Sequence, residues 1–235
     1  MILGHIGVRA GSKGLPGKNM KLLLGKPLLQ WSLDQLLEHP LIDAVVVSTD
    51  GADMLKFATD RGAIDIGLRP DELANDTASK WDVWRHALSA VEEVTGKSVS
   101  VFVDVDATAP LRQSVDITKA IELFQAEKPD MVMTCAIADR NPYFNLMEAD
   151  ETGALHVSKP LPGNVVARQQ APVVYEHAAS TYVLDPAYLR RGTFLYDGRV
   201  IPCVVPSDRA HDIDAIEDFE YAEWRLSRQM SESKK

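Results

Sequence analysis

A chain of 235 residues, 46% hydrophobic and 25% charged, has the make-up of an ordinary globular protein and is long enough to bury one large α/β core. It contains no run of 18 apolar residues that would span a membrane, and its net charge of -9 speaks against a general nucleic-acid binder. Two cysteines, Cys135 and Cys203, make neither a disulfide framework nor a zinc knuckle, so a cytoplasmic protein is the simple expectation.

Strand and helix patterns alternate along the chain. "ILGHIGV" (residues 2–8) reads as a first strand rather than a signal peptide, because its apolar part is short and no small-residue cleavage site follows. It runs into the glycine-rich loop "GVRAGSKGLPGKNMK". Residues 27–39 place Leu29, Leu33, Leu36 and Leu37 on one helical face, with Pro27 in the first turn. "DAVVVSTD" (residues 43–50) is a β-branched run suited to a strand buried on both faces, and a helix over 52–61 stops at Gly62.

Ser79 can cap a helix that Gly96 closes, in which Trp84, Leu88 and Val91 share a face and Trp81 and Trp84 serve packing. A strand over 98–105 follows, then a helix marked by Ile117, Ala120, Ile121 and Phe124, then a strand over 130–137. This order predicts a mostly parallel sheet covered on both faces. Between residues 139 and 175 the rhythm breaks, and a segment of that length inside a domain is expected to be functional or to form an arm that contacts a partner chain. Strands over 179–185 and 199–205 and a helix over 216–229 complete one domain, and the last residues, 231–235, are expected to fray.

The opening loop is neither a Walker loop nor a dinucleotide loop. Five residues separate Gly11 from Gly17-Lys18, Asn19 stands where Ser or Thr would hold magnesium, and no G-x-G-x-x-G is present. From Met1 to Leu33 there is no acid, while Arg9, Lys13, Lys18, Lys21 and Lys26 are all basic. Arg9, Ser12, Lys13 and Lys18, on a loop with glycines that allow close backbone approach, suit a triphosphate. Toward the other end, residues 207–223 carry seven acids against one arginine, a pattern that suits a metal. Asp212 and Asp214, at i and i+2 on an extended segment, point the same way and offer hard oxygen ligands to one cation.

"VRAGSKGLPGKN" (residues 8–19) resembles the N-terminal signature of the cytidylyltransferases that activate acidic sugars: the CMP-sialic acid synthetases, or acylneuraminate cytidylyltransferases, with Kdo cytidylyltransferases as more distant relatives. "VSTDGADM", "LRPDELANDTAS", "TAPLR", "ARQQAP" and "DIDAIEDFEYAE" follow in the family's order, so the likeness covers nearly the whole chain. The resemblance implies an α/β, Rossmann-like nucleotidyltransferase domain over residues 1–235, with 139–175 as a projecting dimerisation and sugar-binding arm. It implies transfer of CMP from CTP to the anomeric hydroxyl of an N-acylneuraminate or similar 2-keto sugar acid, release of pyrophosphate, use of Mg2+, and a homodimer. Arg9, Ser12, Lys13 and Lys18 would hold the triphosphate, with Arg9 and Lys18 offsetting charge during the transfer. Asn19, Arg69, Ala78 and Ser79 would form the cytidine site. Asp212 and Asp214 would hold the magnesium, and Arg168 and Gln169 would bind the sugar, the arginine through the substrate carboxylate.

Two departures fall on the sugar side. The family often reads "LQPTSPLR" where this chain reads "VDVDATAPLR", so Asp106 replaces a glutamine near the sugar; a carboxylate accepts hydrogen bonds from hydroxyl or amino groups, or helps to hold a cation. The common "NGAIY" is "AASTY" here (residues 178–182), without the amide; His177 lies just before it. Legionaminate, pseudaminate, deaminated neuraminate and Kdo therefore stand as alternative acceptors. A CTP-binding module without turnover, and a metal-dependent glycosyltransferase using the D-x-D of Asp104 and Asp106, are the alternatives of other classes.

Overall fold

A computed structural model describes residues 1–11, 14–163 and 165–232. The strands are β1 (Ile2–Gly7), β2 (Leu22–Leu23), β3 (Lys26–Pro27), β4 (Ala44–Ser48), β5 (Val101–Val105), β6 (Met131–Ile137), β7 (Met147–Ala149), β8 (Leu155–Val157), β9 (Tyr175–Leu184) and β10 (Val200–Val204). The helices are α1 (Leu28–Leu37), α2 (Ala52–Thr59), α3 (Lys80–Thr95), α4 (Ser114–Glu127), α5 (Pro186–Arg191) and α6 (Ile216–Glu232). Six strands form the central sheet in the order β10-β6-β9-β5-β1-β4. The pairs β1/β4, β1/β5 and β10/β6 are parallel, and β9 runs antiparallel between β5 and β6. The expected mostly parallel sheet is present, with one reversed strand inside it.

Burial on both faces explains why β4 and β5 read as nearly continuous apolar runs, interrupted within β5 by the buried Asp104. One core cluster joins Ile6, Val47 and Val103 to Leu29, Leu33 and Leu36 of α1, Met54 and Ala58 of α2, and Ile117 and Ile121 of α4. The opposite face packs Leu3, Phe102 and Leu184 against Trp81, Trp84 and Leu88 of α3 and Leu189 of α5. A smaller cluster around Leu23, Leu111, Ile213, Phe219 and Leu226 fastens α6 to the loops above the sheet. No helix is long and apolar enough to cross a membrane among the described residues.

The local signals held at several boundaries. Ser79 caps α3 by accepting a hydrogen bond from the Asp82 amide, and Gly96 closes it at φ 66°. Elsewhere the structure differs from the expectation. Pro27 stands before α1 rather than in its first turn, Leu28 joins the buried face, and Leu37 turns outward. α2 ends at Thr59, and α5, launched by the Asp185 cap and Pro186, had no sustained period to announce it. Residues 139–175 are not wholly irregular. They carry the β7–β8 hairpin, whose turn is closed by Asp150 accepting from Thr152 and Ala154.

β9 is longer than the 179–185 run and its pairing with β6 is interrupted: Met133 faces Tyr182, but Cys135 faces His177. Thr134 fills the gap, its hydroxyl donating to the Thr181 carbonyl and accepting from the Thr181 amide. Within this bulge Ala179 adopts φ 42°, a left-handed backbone that a Cβ disfavours. It occupies the place of the glycine in the "NGAIY" pattern.

Candidate active site

The carboxyl ends of β1 and β5 open onto two adjoining cavities, the place where α/β sheets bind ligands. One, of about 330 Å³, is lined by His5, Arg9, Arg69, Asn75, Ala78, Lys80 and neighbouring residues. The other, of about 260 Å³, is lined by Arg9, Gly14, Lys18, Asn19, Thr108, Asp214 and neighbours. Gly7, Val8, Arg9 and Asp106 belong to both, so a ligand extending from one to the other passes these residues.

The loop after β1 is folded into place by its own backbone. The Ala10 amide donates to Asp50 at 2.9 Å, and Asn19, itself buried, donates to the Arg9 carbonyl at 3.0 Å. Arg69 donates to the Val8 carbonyl and is nearly buried, while its Nε has no partner. Burial draws the Arg69 guanidinium below the usual arginine range, with Arg9 adding to the effect and Asp50 opposing it. Arg9 is half-buried and pairs with Asp76 at 2.7 Å, across the mouth of the first cavity.

Lys18 crosses to the segment before α6. Its Nζ lies 2.6 Å from the Ile213 carbonyl and 3.3 Å from the Asp214 carboxylate. Here the loop and segment are in such close contact that a Cβ at Gly14 would overlap the Asp214 carbonyl oxygen. Asp214 is largely exposed, whereas Asp212 Oδ1 is buried without a hydrogen-bond partner. A buried carboxylate oxygen left unpaired beside an exposed carboxylate two residues on is a donor set that fits a hard divalent cation.

Asp106 heads a second set of charges. Its Oδ1 accepts from Lys80 at 2.6 Å, and Lys80 also pairs with Asp104 at 3.0 Å. His5, facing Asp104 across the β1/β5 register, contacts its other oxygen at 2.5 Å. Burial pushes the Asp106 carboxyl upward; Lys80 opposes this and the Asp104 charge adds to it. For Asp104 burial acts the same way, but Lys80 and His5 outweigh it and hold the group below the usual carboxylate range. Buried Arg112 supports the corner, donating to the Asp106 and Ser180 carbonyls and to Ser32.

Of the residues singled out in the sequence, the fold brings Arg9, Lys18, Asn19, Arg69, Ala78, Asp106 and Asp214 to the two cavities. Asp212 lines neither cavity, although its charge acts on Asp106. The Ser79 hydroxyl is engaged with Asp82 as the cap of α3. Arg168 and Gln169 are exposed on a 3-10 turn and line neither cavity of their own chain. Ser12 and Lys13 lie outside the described residues.

Lys80 and His5 carry no functional expectation in the sequence, and Asp104 enters it only with Asp106 as a D-x-D pair. A histidine inside "ILGHIGV" and an aspartate inside "SVFVDV" were the available signal, because a polar group in a buried strand must find a partner. Beyond Tyr182, whose hydroxyl is bonded to His177 at 2.7 Å, a third cavity of about 260 Å³ is lined by Met133, Cys135, Tyr175, His177, Tyr196 and Ile201, with Val200 and Pro202.

Residues 6–221 match a family model described as cytidylyltransferase. The chain is 33% identical over 233 residues to post-translational flagellin modification protein B of Campylobacter coli, covering 99% of this chain and 98% of the other. It is 35% identical over 226 residues to CMP-N,N'-diacetyllegionaminic acid synthase of Campylobacter jejuni, covering 96% and 95%. An N-acylneuraminate cytidylyltransferase of Streptococcus agalactiae is 30% identical over 217 residues, a match to 91% of this chain and 50% of that longer protein. The fold resembles that of a CMP:2-keto-3-deoxy-manno-octonic acid synthetase complexed with CTP, at TM-score 0.68 and 14% identity over 97% and 99% of the two chains.

Proposed function

The chain belongs to the cytidylyltransferase family, and on that footing we propose that it transfers CMP from CTP to the anomeric hydroxyl of a sialic-acid-like 2-keto sugar acid, releasing pyrophosphate. The observation that carries this reading is the pair of joined cavities. One is lined by Arg9, Arg69 and Ala78 and suits the cytidine; the other sets Lys18 against Asp214 and suits the triphosphate, and Asn19, expected beside the cytidine, lines this second cavity and not the first.

In this mechanism Arg69 and the Ala78 backbone orient the base. Arg9 gives up Asp76 for phosphate oxygens, and Lys18 neutralises the charge that grows as the sugar oxygen attacks the α-phosphorus and pyrophosphate departs. The work is positioning and electrostatic compensation. Asp212 and Asp214 would hold Mg2+, which when bound supplies positive charge to the phosphates. Asp106, open to both cavities, lies where the acceptor meets the nucleotide.

A homodimer and a cytoplasmic location complete the proposal. Residues 139–175 form the arm, on which Met147, Leu155, Val166 and Val173 are exposed, as a surface awaiting a second chain would be. Arg168 and Gln169 would then serve the partner's acceptor site. Cys135 and Cys203 are buried free thiols, in keeping with a reducing compartment.

Two acceptors lead. N-acylneuraminate is the acceptor named for several relatives, while the likeness to the diacetyllegionaminic acid synthase extends over nearly the full length of both chains and favours a legionaminate-type acid. The deciding assay is pyrophosphate release from CTP and Mg2+, with N-acetylneuraminate, N,N'-diacetyllegionaminate, pseudaminate, deaminated neuraminate and Kdo supplied separately. Release with one acid names the acceptor. Binding of CTP without release on any acid would overturn the proposal.

A further inference from the structure

We propose that Lys80 is a positioning residue for the acceptor: it holds the Asp106 carboxylate in place to receive a hydrogen bond from the sugar acid, and does not itself read the nucleotide. This rests on the cytidylyltransferase reading above.

Lys80 is the first residue of α3, where the helix dipole makes a cation unfavourable unless anions surround it. They do. Its ammonium stands 3.0 Å from Asp104 Oδ2 and 2.6 Å from Asp106 Oδ1, and it lies 4.2 Å from the centre of the Tyr182 ring and 5.2 Å from that of Trp84. Two carboxylates take two of the three ammonium donors and two aromatic faces flank the group, so its charge is already compensated before a base or a phosphate enters the cavity it lines. The two carboxylates are not equivalent. Asp104 is fully buried, with His5 on one oxygen and Lys80 near the other. Asp106 is held by Lys80 through Oδ1 and opens on both cavities.

Residues i and i+2 at the end of a strand point to the same side, so without a cation between them Asp104 and Asp106 repel. Lys80 removes that repulsion and fixes the direction in which Asp106 presents its remaining acceptor capacity. A polyhydroxylated acid supplies the matching donors. Lys80 is also the link between Asp106 and the Tyr182–His177 pair that borders the third cavity. One ammonium therefore sets the geometry along one side of the acceptor's approach.

The test measures sugar-acid KM and kcat by pyrophosphate release, and CTP binding by calorimetry, for the wild type, Lys80→Met, Lys80→Arg, Asp106→Asn and Lys80→Met/Asp106→Asn. Lys80→Met is expected to raise the sugar-acid KM by roughly tenfold or more while the CTP Kd stays within about twofold, and Lys80→Arg to recover most of the loss. In the Asp106→Asn background the lysine substitution is expected to add little, because it acts through a carboxylate no longer there. Equal losses for CTP and sugar, or effects that multiply in the double variant, overturn the inference. If Lys80→Met fails to fold, the double variant, which lacks the repulsion, is compared with Asp106→Asn alone; a further rise in KM again overturns it. Failure of the wild type on every acid would sink the underlying reaction instead, a different result from a silent Lys80 in an active enzyme.

Discussion

Lys18 and Asp214 lie 196 positions apart in the chain, yet the lysine ammonium stands 3.3 Å from the aspartate carboxylate and 2.6 Å from the carbonyl of Ile213. The first loop of the protein is thereby tied to the segment that launches its last helix. The basic and acidic ends of the sequence meet at one cavity.

Replacing Lys18 with methionine keeps most of the packing of a side chain that is only 12% exposed, and removes the charge. Pyrophosphate release is expected to fall about 10²–10³-fold, the range seen when one preorganised transition-state contact is lost. Steady-state kinetics together with a thermal melt separate this from unfolding; a fall of less than tenfold would remove Lys18 from the transfer step.

Asp212→Asn and Asp214→Asn are expected to weaken divalent-cation binding at least tenfold each in the presence of CTP. Asp212 contributes a buried oxygen with no other partner, and Asp214 an exposed one. Titration with Mn2+ followed by its paramagnetic signal reads this without turnover. Unchanged cation affinity in both variants would move the metal elsewhere.

Ala179→Gly is expected to stabilise the protein by about 0.5–1 kcal/mol, because the left-handed φ of 42° penalises a Cβ by more than glycine's extra chain entropy. That corresponds to a rise in Tm of about 1–4 °C for a chain of this size. Calorimetry checks it, and a lowered Tm would show that the alanine methyl contributes packing that exceeds its strain.

The histidine contribution to stability is expected to fall as pH drops below about 6.5, the ordinary histidine value, while Asp106, raised by burial to about 6, takes up a proton in the folded state and opposes part of that loss. Burial lowers His39 and His86, with Arg69 adding to the effect at His86. The unfolded chain therefore takes up protons that the native state refuses, and the stability present above the unfolded pKa is lost on acidification. His39 accepts from the Leu41 amide through Nδ1, so Nε2 carries the proton and donates to Thr118. Urea midpoints at pH 7.5 and 5.5 measure the slope, and His39→Gln is expected to flatten it.

The alternation of strands and helices, the cap at Ser79 and the arginine and lysine of the opening loop were legible because each rests on near neighbours in the chain. α5 was not, since six residues hold too little periodicity to stand out, and the β7–β8 hairpin is built from three-residue strands. Asp106 was noticed as a departure from a pattern, but its partner was not, because Lys80 reads as an ordinary surface lysine at the start of a helix.

The amino-acid order alone suited nucleotide chemistry, with glycines and basic side chains after a buried strand and two acids on one segment far along the chain, and its ordered motifs resembled one family. Only the tertiary structure decided how the charges pair. His5 meets Asp104 because β1 and β5 adopt one parallel register, and Lys80 meets both carboxylates because α3 begins above the end of that sheet. Local propensity acts over a few residues, whereas an ion pair forms wherever the fold brings two charges within a few ångströms. In this protein that distance is set by strand order and register, which no short window of sequence contains.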